Sequence, residues 1–184
     1  MHVPFTSDEA LVEEAREGAR LAFETLIQPL ISPAYRLALV MVRDPSQAED
    51  CVQEAALRAW RARAQLRGGA EGLRPWFLAI VANECRNWLR GRWIRVLRRD
   101  LPPLATESGP TEDRLVQSED LRRALRALRP EERAALLLRY GLGLEVEAVA
   151  AALGVRQGAA RSRIHRALRR LRPHLVVKEV DDGR

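Results

Sequence analysis

Arg161, Ser162, His165 and Arg166 recur at i, i+1, i+4 and i+5, which puts them on one side of a helix. Arginine presents a planar fork of donors that matches a guanine edge or a phosphate, and serine and histidine add shorter-range hydrogen bonds. The chemistry on offer is therefore recognition of nucleic acid. A second set lies in the first half of the chain. Trp76, Asn83, Arg86, Asn87 and Arg90 combine an aromatic face, two amides and two guanidiniums, as a single-strand binder requires for stacking, base-edge pairing and phosphate neutralisation. Just before them Gln65–Arg74 (QLRGGAEGLR) carries Gly68, Gly69 and Gly72, which permit a turn or close approach to a ligand, and Arg67 beside them. Taken alone, the face of Trp76, Asn83, Arg86, Asn87 and Arg90 reads equally as solvated surface.

The elements that must position these groups are helical throughout. In LEVEAVAAALGVRQGAARSRIHRALRRLR (144–172), Val146, Val149, Ala150 and Leu153 mark the inner face of a short helix. Gly154 follows where a left-handed cap favours glycine, and Val155 fills the corner. Ala160, Ile164, Leu168 and Leu171 form the inner stripe of a second helix, with Arg169 joining the basic outer face. The pattern is that of a helix-turn-helix, whose second helix enters the major groove; the bland alternative is a helical hairpin with a solvated arginine face.

Further upstream, Thr6–Glu9 fits a capping box with Glu9 reaching back to open the first helix, which turns Leu11, Val12 and Ala15 inward. Gly18 interrupts it, Leu21, Phe23 and Leu26 resume the pattern, and Pro29 and Pro33 punctuate the next stretch. Asp44-Pro45-Ser46 starts a helix that buries Ala48, Cys51, Val52, Ala55, Ala59 and Trp60. Its other face shows Asp50, Gln53, Glu54 and Leu57, with Arg58 spaced to pair with Glu54. Pro75 is expected as the first residue of a helix to about Arg90 that buries Phe77, Leu78, Val81, Cys85, Trp88 and Leu89. Leu101–Asp113 (LPPLATESGPTED) reads as a linker; its extended length, at most ~40–47 Å, together with two domains of ~12 Å radius of gyration, lets the chain span roughly two duplex turns of ~34–36 Å each. Helices resume from Ser118, with Leu136, Leu137 and Tyr140 expected to face inward. The fold expected is all-α: two helical domains, 1–100 and 118–184, joined by a linker at 101–117, the second carrying the helix-turn-helix.

The 184 residues carry a net charge of +6, and Lys178 is the one lysine, so the basic side chains are almost all arginine. No apolar run reaches the ~18 residues of a membrane span, and the start (MHVPFTSDEA) lacks a basic segment followed by an apolar one; both point to the cytoplasm. Cys51 and Cys85 fall on helical core positions and read as buried free thiols. No Ser/His/Asp set, zinc-ligand spacing or phosphate-cradling glycine motif is present, so the expectation is no catalytic residue, metal or cofactor, and not an enzyme.

In this order the segments LAFETLIQP, YRLAL, AEDCVQEAALRAW, LRPWFLAIVANECRNWLR, LRPEERAALLLRY and RSRIHRALRRLR resemble the sigma-70 family of bacterial RNA polymerase sigma factors, in particular its extracytoplasmic-function group. The resemblance runs from about Glu9 to Leu171. It implies a promoter-recognition subunit with core RNA polymerase and promoter DNA as partners, and leaves an anti-sigma protein open as another. The first domain would be region 2, which binds the polymerase clamp helices and opens the −10 element. The second would be region 4, which reads the −35 element and binds the flap. The resemblance places Asp50, Gln53, Glu54 and Arg58 on the polymerase-facing helix. Gln65–Leu73, with Arg67, Gly68 and Gly69, corresponds to the loop that pockets a flipped −10 base, and Trp76, Asn83, Arg86, Asn87 and Arg90 lie on the helix beside it. Arg161, Ser162, His165 and Arg166 fall at −35 reading positions. Ala159 and Ala160 depart from the family's usual threonine and larger aliphatic, and Val146 stands where an aromatic is frequent. A stand-alone helix-turn-helix repressor or activator is the alternative, and it leaves the tryptophan-bearing basic helix of the first half unexplained.

Overall fold

The computed structural model describes residues 8–99 and 119–174. The linker expected at 101–117, Thr6 of the expected capping box and the chain beyond His174 lie outside the described residues. Among the described residues every regular element is helical: α1 (Asp8–Glu17), α2 (Arg20–Val42), α3 (Pro45–Ala62), α4 (Gly69–Arg99), α5 (Glu119–Ala127), α6 (Pro130–Leu136), α7 (Val146–Leu153) and α8 (Gln157–Leu171), with short 3-10 turns at Arg63–Gln65 and Arg172–His174.

α2 is the centre of the first half. It packs against α1, α3, α4 and, across the molecule, α6. Contrary to the sequence expectation, α2 is by length and mean hydropathy apolar enough to cross a membrane, yet Ala34, Leu37 and Ala38 are completely buried in the protein core. Pro29 and Pro33 do not punctuate it, contrary to the sequence expectation; the helix runs through both. Proline interrupts a helix by removing a donor and crowding the carbonyl four residues back. Here those carbonyls belong to Thr25 and Pro29, both exposed residues, so water can satisfy them while the buried face continues. Gly18, at φ +109°, makes the turn from α1 to α2. Leu21 resumes the pattern but is exposed.

α3 opens as expected: Asp44 accepts from the Gln47 N–H at 3.1 Å, with Pro45 in the first turn. Ala48, Cys51, Val52, Ala55 and Ala59 are buried against α2 and α4. Trp60 is half-buried, edge-on to Phe23 at 5.3 Å, with the Arg63 guanidinium 4.3 Å from its ring centre. Cys51 and Cys85 are buried free thiols. A hydrogen bond between them pushes the Cys85 thiol up and lowers that of Cys51.

α4 begins at Gly69, six residues before the proline expected to start it, and continues to Arg99. The Gln65–Arg74 stretch is therefore mostly helical, with Leu66–Gly68 the only break between the 3-10 turn and α4. The start is secured from a distance: Glu9 of α1 accepts from the Ala70 N–H at 3.1 Å. Phe77, Leu78, Val81 and Cys85 are fully buried, whereas Trp88 and Leu89 are half-buried.

In the second half α6 and α8 pack together and α7 packs on α8. Gly154, at φ +62°, caps α7, and the Val155 N–H returns to the Ala150 carbonyl at 3.0 Å. Ala160, Ile164 and Leu171 are buried and Leu168 half-buried. Leu137–Gly141 winds as a wider π-turn, closed by Leu142 N–H on the Leu137 carbonyl at 2.8 Å. The extra residue in that turn rotates Tyr140 outward, so it is exposed rather than inward-facing as expected.

Leu37 tests the central role of α2. Leu37→Ala should lower unfolding free energy by about 2–5 kcal/mol, the range for a fully enclosed leucine, as measured by urea denaturation.

Candidate nucleic-acid and partner faces

α8 presents Arg161, Ser162, His165, Arg166 and Arg169 to solvent. Its fixed tilt comes from the buried alanines and aliphatics beneath and from the glycine-capped turn to α7. Glu132, buried at the start of α6, accepts from the Arg129 N–H at 3.1 Å and from Arg170 at 3.0 Å, tying α8 to α6. The arrangement is a helix-turn-helix with a basic outer face.

α4 carries the second face. Trp76, Asn83, Asn87 and Arg90 are spaced by whole turns along one stripe that spans ~21 Å at 1.5 Å per residue. Asn83 and Arg90 are exposed and Asn87 is half-buried, with Arg90 Nη2 donating to Asn87 Oδ1. Trp76 is half-buried against the core. At the head of the helix Arg67 and Gly68 are exposed, whereas Gly69 lies beneath the Glu9 carboxylate. Arg86 differs from the rest of the set. It is half-buried, and Nη1 donates to the Leu153 carbonyl at the end of α7. Burial lowers its pKa, opposed by nearby Glu131 and reinforced by Arg163 and Arg90. The side chain expected to hold a phosphate thus holds the turn of the helix-turn-helix in this conformation.

The third face is on α3. Asp50, Gln53 and Arg58 are exposed and Glu54 half-buried. Arg58 bridges two carboxylates: Glu54 on its own helix at 3.0 Å and buried Glu84 on α4 at 3.1 Å. Beside Gln53 lies a groove of about 660 Å³ between α2 and α3, floored by Phe23, Ile27, Ile31, Leu57 and Trp60.

Sequence reasoning missed Glu84, Arg133 and Arg43. Glu84 and Arg133 had a legible signal: each stands on its helix's apolar stripe, Glu84 between Val81 and Trp88, Arg133 ahead of Leu136 and Leu137. A charge in such a stripe requires a buried partner. Arg43, just past α2 at φ 58°, had none.

An all-helical protein with a helix-turn-helix and a second, amide- and arginine-bearing helix is a DNA-recognition protein by class. Family models agree: residues 26–95 match sigma-70 region 2, and residues 118–171 match sigma-70 region 4. The chain is 33% identical over 153 residues to the ECF RNA polymerase sigma factor SigL of Mycobacterium tuberculosis, covering 79% of this chain and 83% of that one. It is 35% identical over 173 residues to the probable RNA polymerase sigma factor RfaY of Xanthomonas campestris, covering 89% of this chain but 43% of that longer protein. Its fold is similar to that of the sigma factor RpoE of Bartonella quintana, solved with the anti-sigma factor NepR, with a TM-score of 0.67, 25% identity, and coverage of 85% and 98% of the two chains. The chain belongs to the sigma-70 family of RNA polymerase sigma factors, in its extracytoplasmic-function group.

The Arg58 bridge yields a comparison. Glu54→Ala removes an exposed i,i+4 pair and should cost about 0.2–0.5 kcal/mol. Arg58→Ala leaves the Glu84 carboxylate buried without a counter-charge and should cost about 1–3 kcal/mol. Adding Glu84→Gln to Arg58→Ala should recover part of that loss in urea titrations.

Proposed function

We propose that the chain is the promoter-recognition subunit of a bacterial RNA polymerase and divides that task among its three faces, with no catalytic chemistry of its own and no metal or cofactor. Residues 1–100 act as region 2 and 118–184 as region 4, with 101–117 between them. The exposed arginine face of α8, mounted on a helix-turn-helix in a chain of this family, carries the reading. Arg161 and Arg166 reach guanine edges or phosphates of the −35 element, while Ser162 and His165 complete the contact surface. On α4, Arg67, Gly68 and Gly69 flank the place where an unstacked −10 base enters. Trp76 offers a stacking surface, Asn83 and Asn87 donors and acceptors, and Arg86 and Arg90 phosphate partners. Capture of the displaced strand traps a thermal opening without ATP. Asp50, Gln53, Glu54 and Arg58 face the polymerase clamp helices, and region 4 meets the flap. The site of action is the cytoplasm, where polymerase and promoter are. The likeness to a sigma factor solved with its anti-sigma factor makes an anti-sigma protein a further partner.

Transcription by core polymerase from a promoter library, with start sites mapped, tests the whole reading; duplex binding as tight and specific without core polymerase would favour a stand-alone regulator. Arg166→Ala should lose about 1–3 kcal/mol of base discrimination at the upstream element. A uniform loss across sequences, with a shallower salt dependence, would make Arg166 a phosphate contact instead.

Asn83→Ala should reduce permanganate reactivity of −10 thymines on duplex promoters, with partial rescue on a pre-melted bubble and unchanged affinity for core polymerase. Normal reactivity on duplex DNA would move strand capture to other residues, first those around Arg67.

A further inference from the structure

The head of α4 is built from residues that make a poor helix. Gly68–Gly72 reads GGAEG, and glycine loses more freedom in a helix than any other residue. Pro75, whose missing donor suits a first turn, offers a better start six residues on. α4 nevertheless begins at Gly69. Leu66 and Leu73, both buried, hold the ends of the intervening segment, and between them the order comes from α1. The Glu9 carboxylate takes the Ala70 N–H, one of the amides that an opening helix leaves free, and sets a negative charge at the positive end of its dipole. Gly69, at φ +58°, lies so close beneath that carboxylate that a Cβ would overlap it. A Cβ on Gly72 would meet the Arg67 carbonyl oxygen, and the Gly72 N–H donates to the Gly68 carbonyl at 2.9 Å. The glycines are thus used by the fold itself, to seat the carboxylate of α1 and to close the first turn. α1 also packs on the 3-10 turn at Arg63–Gln65, so it braces both sides of the exposed Arg67–Gly68 bend.

We propose that Glu9 is a positioning residue for capture of the −10 strand. It holds Arg67 and Gly68 in the binding-competent shape before DNA arrives, although it lies outside every face proposed for DNA or polymerase. This rests on the placement of the flipped −10 base beside Arg67, Gly68 and Gly69 proposed above. A segment ordered in advance binds without the entropic cost of ordering, and apparent affinity rises with the fraction of chains already in the competent form. Without the carboxylate the first turn of α4 frays toward Pro75, and the bend that faces the base becomes part of a longer loop. The sign of the effect separates this role from plain electrostatics. An exposed carboxylate near an anionic strand repels it, so deleting Glu9 for its charge alone would tighten strand binding. Deleting a positioning residue weakens it.

The test titrates holoenzyme, assembled from core polymerase and the full-length chain, with a fluorescent single-stranded −10 non-template oligonucleotide, intact or abasic at one position at a time. The position whose loss costs the wild-type protein most marks the pocketed base. Glu9→Ala should weaken binding of the intact strand by about five-fold, the population shift expected from losing one helix cap. It should bind the strand abasic at that position as the wild-type protein does, with unchanged affinity for core polymerase. Glu9→Gln keeps an acceptor oxygen without the charge and should recover most of the loss. In the free full-length chain, amide hydrogen exchange should speed up at Ala70 and Gly72 in Glu9→Ala and stay unchanged along α3, which checks that the fold is intact. Equal or tighter binding of the intact strand by Glu9→Ala would overturn the proposal. So would an equal loss for intact and abasic strands, the mark of a general change in structure. A wild-type holoenzyme indifferent to every abasic position would overturn the placement of the flipped base itself, and the role of Glu9 with it.

Discussion

A helix that carries apolar side chains around most of its circumference must be covered around most of it. α2 is that helix, with Phe23, Leu26, Ile27, Leu37, Leu39, Met41 and Val42 all buried. No single neighbour can cover it. α1, α3 and α4 enclose it within the first half, and α6 completes the cover from the second. Leucine- and phenylalanine-sized side chains at about 1.5–3 kcal/mol each make this burial the main force arranging the domain. The placement of α3 and α4 follows from it, and with them the two outward faces that carry Gln53 and Asn83.

Arginine serves two purposes here that share one chemistry. On α8 the guanidiniums are exposed, on the face proposed to meet bases and phosphates. Between the halves Arg43, Arg86 and Arg133 satisfy helix-end carbonyls. A planar fork with several donors suits both targets, and its weak hydration makes partial burial tolerable. Lysine, a single strongly hydrated point charge, would suit neither as well. The near-absence of lysine is consistent with both uses.

The surfaces proposed for the polymerase and for the displaced strand are not independent. Arg58 bridges Glu54 on the first to Glu84, which is buried one residue from Asn83 and two from Arg86 on the second. A partner that engages the Glu54–Arg58 pair acts on the counter-charge of a buried carboxylate in α4. The two surfaces are joined by an ion pair as well as by packing.

Local pattern alone carried much of this. The helix-turn-helix was legible because its period is regular and Gly154 sits where only a left-handed cap explains it. The cores of α3 and α4 were legible because the inward side chains repeat every third and fourth position. The family was legible because several such segments occur in one order. What escaped was decided by contacts distant in sequence. α2 passes Pro29 and Pro33 because the carbonyls they leave unpaired belong to exposed residues and the buried face is held by other helices. α4 starts at Gly69, not Pro75, because Glu9, far away in the chain, satisfies its first free amide. Tyr140 turns outward because a π-turn shifts its phase. Arg86 shows the limit most clearly: its stripe, charge and spacing mark it for a phosphate, and they say nothing of a carbonyl at the end of α7. Periodicity reports which side of a helix a residue occupies; only the packed chain determines what stands opposite it.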